Sequence, residues 1–359
     1  MMSKRFIAGL TVAALIGTIA LAGDKASAPK TPASEFRARC LQLSQEADKN
    51  KQMAVKGEDG WLFFAGELRH LGVGEFWGED AAKVSKASKP NWADPVGAIT
   101  AFNDELKKLN IRLIMVPVPA KAAVYPDKLS DRIEIDPESK KVTRIDDHHQ
   151  EFYDLLGKKG VEVMDVTEDF IKARKDDEKL GPVYCKTDTH FSGRAAEVIA
   201  AMVRKEIGDA EWLKTCKTSD YPTEKRKVTI SGDLWRSLPE GKRPERETLP
   251  LTFVGKEPIE PSDASPVILL GDSHGLVFHL GGDLHAKGAG LADHLAKEFG
   301  FPVDRIAVRG SGATPSRIQL YRKGARDANY FDNKKLVIWC FSAREFTEAS
   351  GWREVPVKR

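Results

Sequence analysis

Apolar residues along this chain fall into two rhythms that alternate over most of its length. Ile99, Phe102, Leu106 and Leu109 recur at helical spacing, and Asn110 closes that helix before an apolar strand at Arg112–Pro117. Glu151–Leu156, with Gly157 and Gly160 behind it, predicts a helix leading to a strand at Val161–Val166. Ala196, Ile199, Val203 and Ile207 make one face of a further helix, with Ser192 as its cap. Val267–Leu270 reads as a buried strand, followed by a glycine-rich loop at Gly281-Gly282 and Gly288–Gly290. Helix Leu291–Phe299 and strands Arg305–Val308 and Leu336–Cys340 complete the pattern. Such alternation predicts an α/β fold, a parallel sheet covered by helices on both faces. Residues 215–262 carry Pro, Lys, Glu and Thr with little periodicity and read as an excursion from the core.

The ends of the pattern set the domain limits. Met1-Met2-Ser3-Lys4-Arg5 precedes an uncharged, mostly apolar run from Phe6 to about Ala22, which makes residues 1–22 a secretory signal or an uncleaved membrane anchor. Either way the rest of the chain is expected to be exported. Residues 23–55 are polar and read as a linker and a surface helix, leaving 56–359 as one domain whose core begins at Trp61.

The formal net charge is +3, with basic and acidic residues mixed along the chain, and no strongly basic block suggests nucleic acid as a partner. Lys225-Arg226-Lys227 reads as solvated surface. Four cysteines allow three pairings in an oxidising compartment. Cys40 and Cys216 lie in polar contexts that suit a disulfide, whereas Cys340 on its strand and Cys185 read as structural thiols. The cysteine spacings fit no zinc site, and His148-His149 read as surface histidines rather than metal ligands.

The chemistry lies in two short stretches. Gly271-Asp272-Ser273 follows a buried strand and presents a hydroxyl at the strand's carboxyl end, the edge where open α/β sheets put their ligands. Asp188-Thr189-His190 supplies a base and an orienter, which a serine alcohol needs to become a nucleophile. The Ser273 N–H and the Gly310–Ala313 loop, through Gly312, are candidate oxyanion donors, and Asp272 reads as a brace for the turn. His274 competes with His190 for the role of base, and His190 is preferred because neighbours at such a turn point apart. Lys121 and Tyr125 follow a strand end and are candidates to shape a substrate groove with His274; Arg309 and Arg317 are candidates for a carboxylated sugar. Trp61, Trp77 and Trp339 read as core.

These two stretches are joined in order by Asp59–Phe64 running on to Glu67-Leu68-Arg69, by Val116–Lys121 with Tyr125-Pro126, and by Leu336–Trp339. Together, over roughly residues 55–350, they resemble the circularly permuted SGNH hydrolase-like domain of the AlgJ and AlgX family of periplasmic alginate O-acetyltransferases. The order of the blocks matters, because ordinary SGNH hydrolases carry the serine block first and Asp-x-x-His last. The resemblance implies a flavodoxin-like sheet, catalysis by Ser273, His190 and Asp188, no cofactor, a polysaccharide substrate and a membrane-bound O-acyltransferase as acetyl donor. It also implies other exopolysaccharide biosynthesis proteins as partners. The asparagine that SGNH hydrolases add to the oxyanion hole has no equivalent here. The carbohydrate-binding module that AlgX carries behind its catalytic domain is not expected. An acetylesterase with the same triad and a non-catalytic scaffold or binding subunit of an export complex are the competing readings.

Overall fold

The computed structural model describes residues 32–130 and 143–358, so the expected signal or anchor at 1–22 lies outside the described residues. Helix α1 (Pro32–Lys49) leads to an antiparallel pair, β1 (Ala54–Lys56) and β2 (Leu62–Phe64), and to helix α2 (Ala65–Gly72). Next come α3 (Pro95–Lys108), β3 (Arg112–Val118), α4 (Asp147–Lys158), β4 (Glu162–Val163) and α5 (Gly193–Ile207). A hairpin of β5 (Thr223–Ile230) and β6 (Glu247–Val254) follows, then β7 (Val267–Gly271), α6 (Leu291–Phe299), β8 (Asp304–Ala307), α7 (Thr314–Arg326) and β9 (Leu336–Ser342).

Five strands form one parallel sheet in the order β4-β3-β9-β7-β8. Alternate residues of its central strands enter two different cores, as the pleat requires. Ile114, Val116, Val267, Leu269, Leu336 and Ile338 pack into one cluster. Leu113, Met115, Ile268, Leu270, Val337 and Trp339 pack into the other. Both faces are therefore buried, and the strands read as continuous apolar runs because of it.

The helices have local reasons. At α3 the Asp94 carboxylate accepts the Val96 N–H, Pro95 sits in the first turn, and Ile99, Phe102 and Leu106 face the core. At α5, Ala196, Ile199, Val203 and Ile207 are buried as their spacing predicts. Ser192 stands at its N-cap but makes no capping bond, since its hydroxyl donates to the Pro182 carbonyl instead.

Several expectations change. Helix α1 is more than a surface helix, because Phe36, Cys40 and Ala47 on one stripe are buried in the main core. The expected Cys40–Cys216 disulfide is not formed: all four cysteines are free, and burial pushes the Cys40 thiol up to about 12. His149 is buried rather than exposed, with its Nε2 2.7 Å from Nε2 of His70 inside a cluster that includes Phe76, Phe152 and Phe346. The excursion at 215–262 contains the β5–β6 hairpin, whose Leu249, Leu251 and Phe253 join the main core. Trp61 and Trp339 are buried, while Trp77 is half-buried against Phe76 and Phe152. No helix among the described residues is long and apolar enough to cross a membrane.

Candidate active site

Strand β7 ends where its backbone presses on β9. A Cβ at Gly271 would lie 1.7 Å from the Cys340 carbonyl oxygen, so glycine is required before the serine turn. Ser273–Gly275 then make a single 3-10 turn. Asp272 braces it from both sides, accepting the His274 N–H (2.8 Å) and Nδ1–H (2.9 Å) on one oxygen and the Ser342 N–H (2.8 Å) on the other. Burial opposes the charge on Asp272, but His274 and Arg344 override it and hold the carboxyl below the usual range.

His190 reaches this turn from the loop between Tyr184 and Phe191, whose ends are joined by an isolated β-bridge. Its Nε2 lies 2.7 Å from Ser273 Oγ, and its Nδ1 lies 2.6 Å from Asp188 Oδ1. Asp188 Oδ1 also accepts the His190 backbone N–H at 3.0 Å. A carboxylate can only accept, so Nδ1 carries the proton and Nε2 is left to take one from the serine. Burial works against a charged imidazole, yet Asp188 beside it wins and the His190 pKa is raised. Asp188 moves the other way: burial pushes it up, and His190 and His285 bring it well below the ordinary carboxylate range.

Three residues that the sequence did not single out hold this pair and its loop, and a fourth holds the Gly310–Ala313 loop. Asp188 Oδ2 accepts the Asp233 N–H at 2.8 Å and His285 Nε2–H at 2.9 Å. Asp233 in turn accepts the Thr189 N–H and hydroxyl. Glu247, on β6, accepts the N–H groups of Lys186 and Thr187 at 2.8 and 3.0 Å and the Thr187 hydroxyl. Glu345 holds the far loop by accepting the Ser311 hydroxyl and the Ala313 N–H, and burial raises its carboxyl to about 7. Asp188, His190 and Asp233 bring one ligand atom each within 4.8 Å of one another. In this geometry those groups are engaged with each other, with Thr189 and with Ser273.

The remaining candidates divide. The Gly310–Ala313 loop does approach the serine turn, since a Cβ at Gly312 would sit 2.5 Å from Phe341 Cβ and 2.8 Å from Asp272 N. Lys121, Tyr125 and His274 are each 1% exposed or less, so they cannot wall an open groove. Lys121 turns inward, and its Nζ donates to the carbonyls of Leu62 (2.8 Å), Asp188 (2.6 Å) and Lys186 (3.4 Å). Tyr125 donates to Asp177, accepts the Val183 N–H and packs against Trp61. Arg317 is buried among Phe102, Trp339 and Trp352 and is not available to a sugar. Arg309 is exposed and paired through two bonds with Asp283.

Comparison with known proteins follows the same lines. The domain model described as SGNH hydrolase-like domain, acetyltransferase AlgX, matches residues 54–343. The probable alginate O-acetylase AlgJ of Pseudomonas aeruginosa is 25% identical over 185 residues, and that of Pseudomonas syringae pv. tomato 28% over 185 residues. Each match covers 52% of this chain and 41% of the relative, so the chain spans less than half the length of these relatives. Among solved structures, the O-acetyltransferase domain of Pseudomonas putida AlgJ superimposes with a TM-score of 0.59 at 22% identity, covering 82% of this chain and 92% of that one. Pseudomonas aeruginosa AlgX gives 0.55 at 16%, covering 88% and 71%. These likenesses show a shared fold. With the domain model covering the sheet, the serine turn and the Asp-x-His loop, the chain belongs to the AlgX family of SGNH hydrolase-like acetyltransferase domains.

Proposed function

We propose that this protein is a periplasmic O-acetyltransferase that passes an acetyl group through an ester on Ser273 to hydroxyls of an exopolysaccharide such as alginate. The observation that carries this reading is the unbroken line from Asp188 through His190 to Ser273, with spacings of 2.6 and 2.7 Å. Family membership and the AlgJ relatives support the choice of acetyl group and polymer. A membrane-bound O-acyltransferase as donor, association with other exopolysaccharide proteins, and attachment through the N-terminal segment belong to the same proposal.

In the first half-reaction Ser273 Oγ bonds to the acetyl carbonyl carbon while His190 Nε2 takes the hydroxyl proton. The oxygen that becomes negative needs N–H donors, and the Ser273 N–H, at the start of its turn, and the Gly312 loop are the candidates. The adduct collapses by breaking the bond to the donor's leaving atom, which takes the proton from His190. In the second half a sugar hydroxyl gives its proton to His190 as it attacks the acetyl carbon, and Ser273 leaves with that proton restored.

The purified protein, given an activated acetyl ester and candidate oligosaccharides, should yield more acetylated sugar than free acetate by mass spectrometry. Fast acetate release indifferent to every acceptor would make it an esterase; failure ever to form acetyl-Ser273 would make it a scaffold. The pH dependence is fixed in sign as well. His190 accepts a proton only when neutral, and its pKa is raised above the ordinary 6.5. The acid limb of kcat/KM for Ser273 acetylation should therefore have its midpoint above pH 6.5. A midpoint below that value would contradict the His190–Asp188 coupling.

A further inference from the structure

We infer that His285 is a positioning residue for the acyl-transfer site, fixing the Asp188 carboxylate from behind so that one oxygen stays aimed at His190; this rests on the acetyl-serine reading. The side chain is 3% exposed, and its Nε2 lies 2.9 Å from Asp188 Oδ2. Because Asp188 only accepts, His285 holds its proton on Nε2 there.

The division of labour on Asp188 is complete. Oδ1 takes both donors of His190, and Oδ2 takes the N–H of Asp233 and the Nε2–H of His285. A partial rotation about the carboxylate's own bond would swing Oδ1 out of line with Nδ1–H and misalign the imidazole. Two donors on Oδ2 oppose that rotation, and one of them is His285.

The loop that delivers His285 is built for the purpose. His285 has φ +79° and ψ −84°, a backbone conformation that residues with a side chain rarely adopt. Gly281 and Gly282, also at positive φ, turn the chain without that strain. At the strained position the chain carries an imidazole, and outliers of this kind persist where the surroundings over-determine them. Those surroundings are visible. The loop is closed by Phe278 N–H to the Leu284 carbonyl, Gly281 N–H to that of Ala286 and Ala289 N–H to that of Phe278. His279 at its root is held 3.0 Å from both oxygens of buried Asp293. The Phe278 ring packs 5.3 Å from the His285 ring.

A donor on Asp188 draws charge from it and so tempers the basicity Asp188 confers on His190. Removing that donor should loosen Asp188 and also raise the His190 pKa. Asp233 and Asp272 also act on His190, the His274 ring lies 5.0 Å from it, and Lys121 donates to the Asp188 carbonyl; all of these stay unchanged in every variant below.

The test compares His285→Gln, which restores an N–H donor at about the Nε2 position, with His285→Ala and His285→Phe, which remove it, the latter keeping a ring against Phe278. With p-nitrophenyl acetate, the Ala and Phe variants should lose about 10- to 100-fold in acetylation rate, the range typical of groups that orient a catalytic ligand from behind. The loss should fall on kcat rather than KM, and the acid limb should move to higher pH. The Gln variant should stay within several-fold of wild type with its acid limb unmoved. Wild-type rates and pH profile in either donor-free variant would overturn the inference, as would a folded Gln variant impaired as deeply as the others. Ser273→Ala, assayed in parallel, separates this from the function itself: turnover that survives there removes the acetyl-serine reading whatever His285 does.

Discussion

Replacing Ser273 with alanine is expected to reduce acetyl-ester turnover by at least about 10⁴-fold while leaving the fold intact. The hydroxyl is the only group lost, and Ser273 and His190 keep 9% and 8% of their surface in contact with solvent. Water can replace the missing partner there. His190→Ala and Asp188→Ala should be nearly as damaging, and pairing either with Ser273→Ala should add almost nothing, because members of one relay act as a unit. Stopped-flow release of p-nitrophenolate and intact-protein mass spectrometry measure both turnover and the acetyl-enzyme. Retained activity in His190→Ala with loss in His274→Ala would move the base to the neighbouring histidine. The geometry argues against that exchange, since His274 gives its Nδ1–H to Asp272 and it is His190 that stands at the serine.

The second large effect concerns stability. Lys121→Met keeps the volume of a straight side chain but removes an ammonium that caps three carbonyls in a wholly buried place. Burial lowers the Lys121 pKa, and Glu67 nearby opposes that by favouring the charge. With the cation gone, the Leu62 and Asp188 carbonyls lose a short bond each, and Glu67 loses a compensating charge. Unmade buried hydrogen bonds cost about 1–3 kcal/mol apiece, so a loss of roughly 3–5 kcal/mol in unfolding free energy is expected. Denaturant titration measures it. Turnover should fall too, because Asp188 is released at its backbone. A variant with unchanged midpoint and unchanged kcat would mean that Lys121 merely fills space.

Lys121 also shows where sequence reading stops. That it follows the end of β3 was legible from the apolar run before it; that its side chain turns into the protein was not, because position after a strand does not fix side-chain direction. Tyr125 and Arg317 failed for the same reason, and in Arg317 a charged residue on a helix is hidden under three aromatic rings. The sheet was legible because strands buried on both faces leave unbroken apolar runs. The serine turn and the Asp-x-His loop were legible because the residues that must act together lie within a few positions of each other. Asp233, Glu247 and His285 lie 45, 60 and 97 residues from their partners, in segments with no motif. Two signals were present and unread. Phe36, Cys40 and Ala47 form a helical stripe, and Leu249, Leu251 and Phe253 alternate through β6 around Pro250. In β5 the first five residues are exposed, so it offers no apolar period at all.

The two halves of the site are fastened differently. Ser273 sits at the tip of an inner strand of the sheet, whereas His190 and Asp188 ride a loop whose grip comes from Lys121 at the end of β3, but also from Glu247 on the hairpin, from Asp233 in the segment that joins the hairpin's strands and from His285. Proteins open in pieces, and a two-stranded ribbon with a largely solvated outer strand opens more readily than a central sheet. On warming, the serine would keep its address while its base wandered off, so activity should be lost at a lower temperature than the global unfolding signal when both are followed in parallel. Function in this protein would then depend in part on its periphery, and a change that tightens the ribbon should lengthen working life without adding to the stability of the sheet.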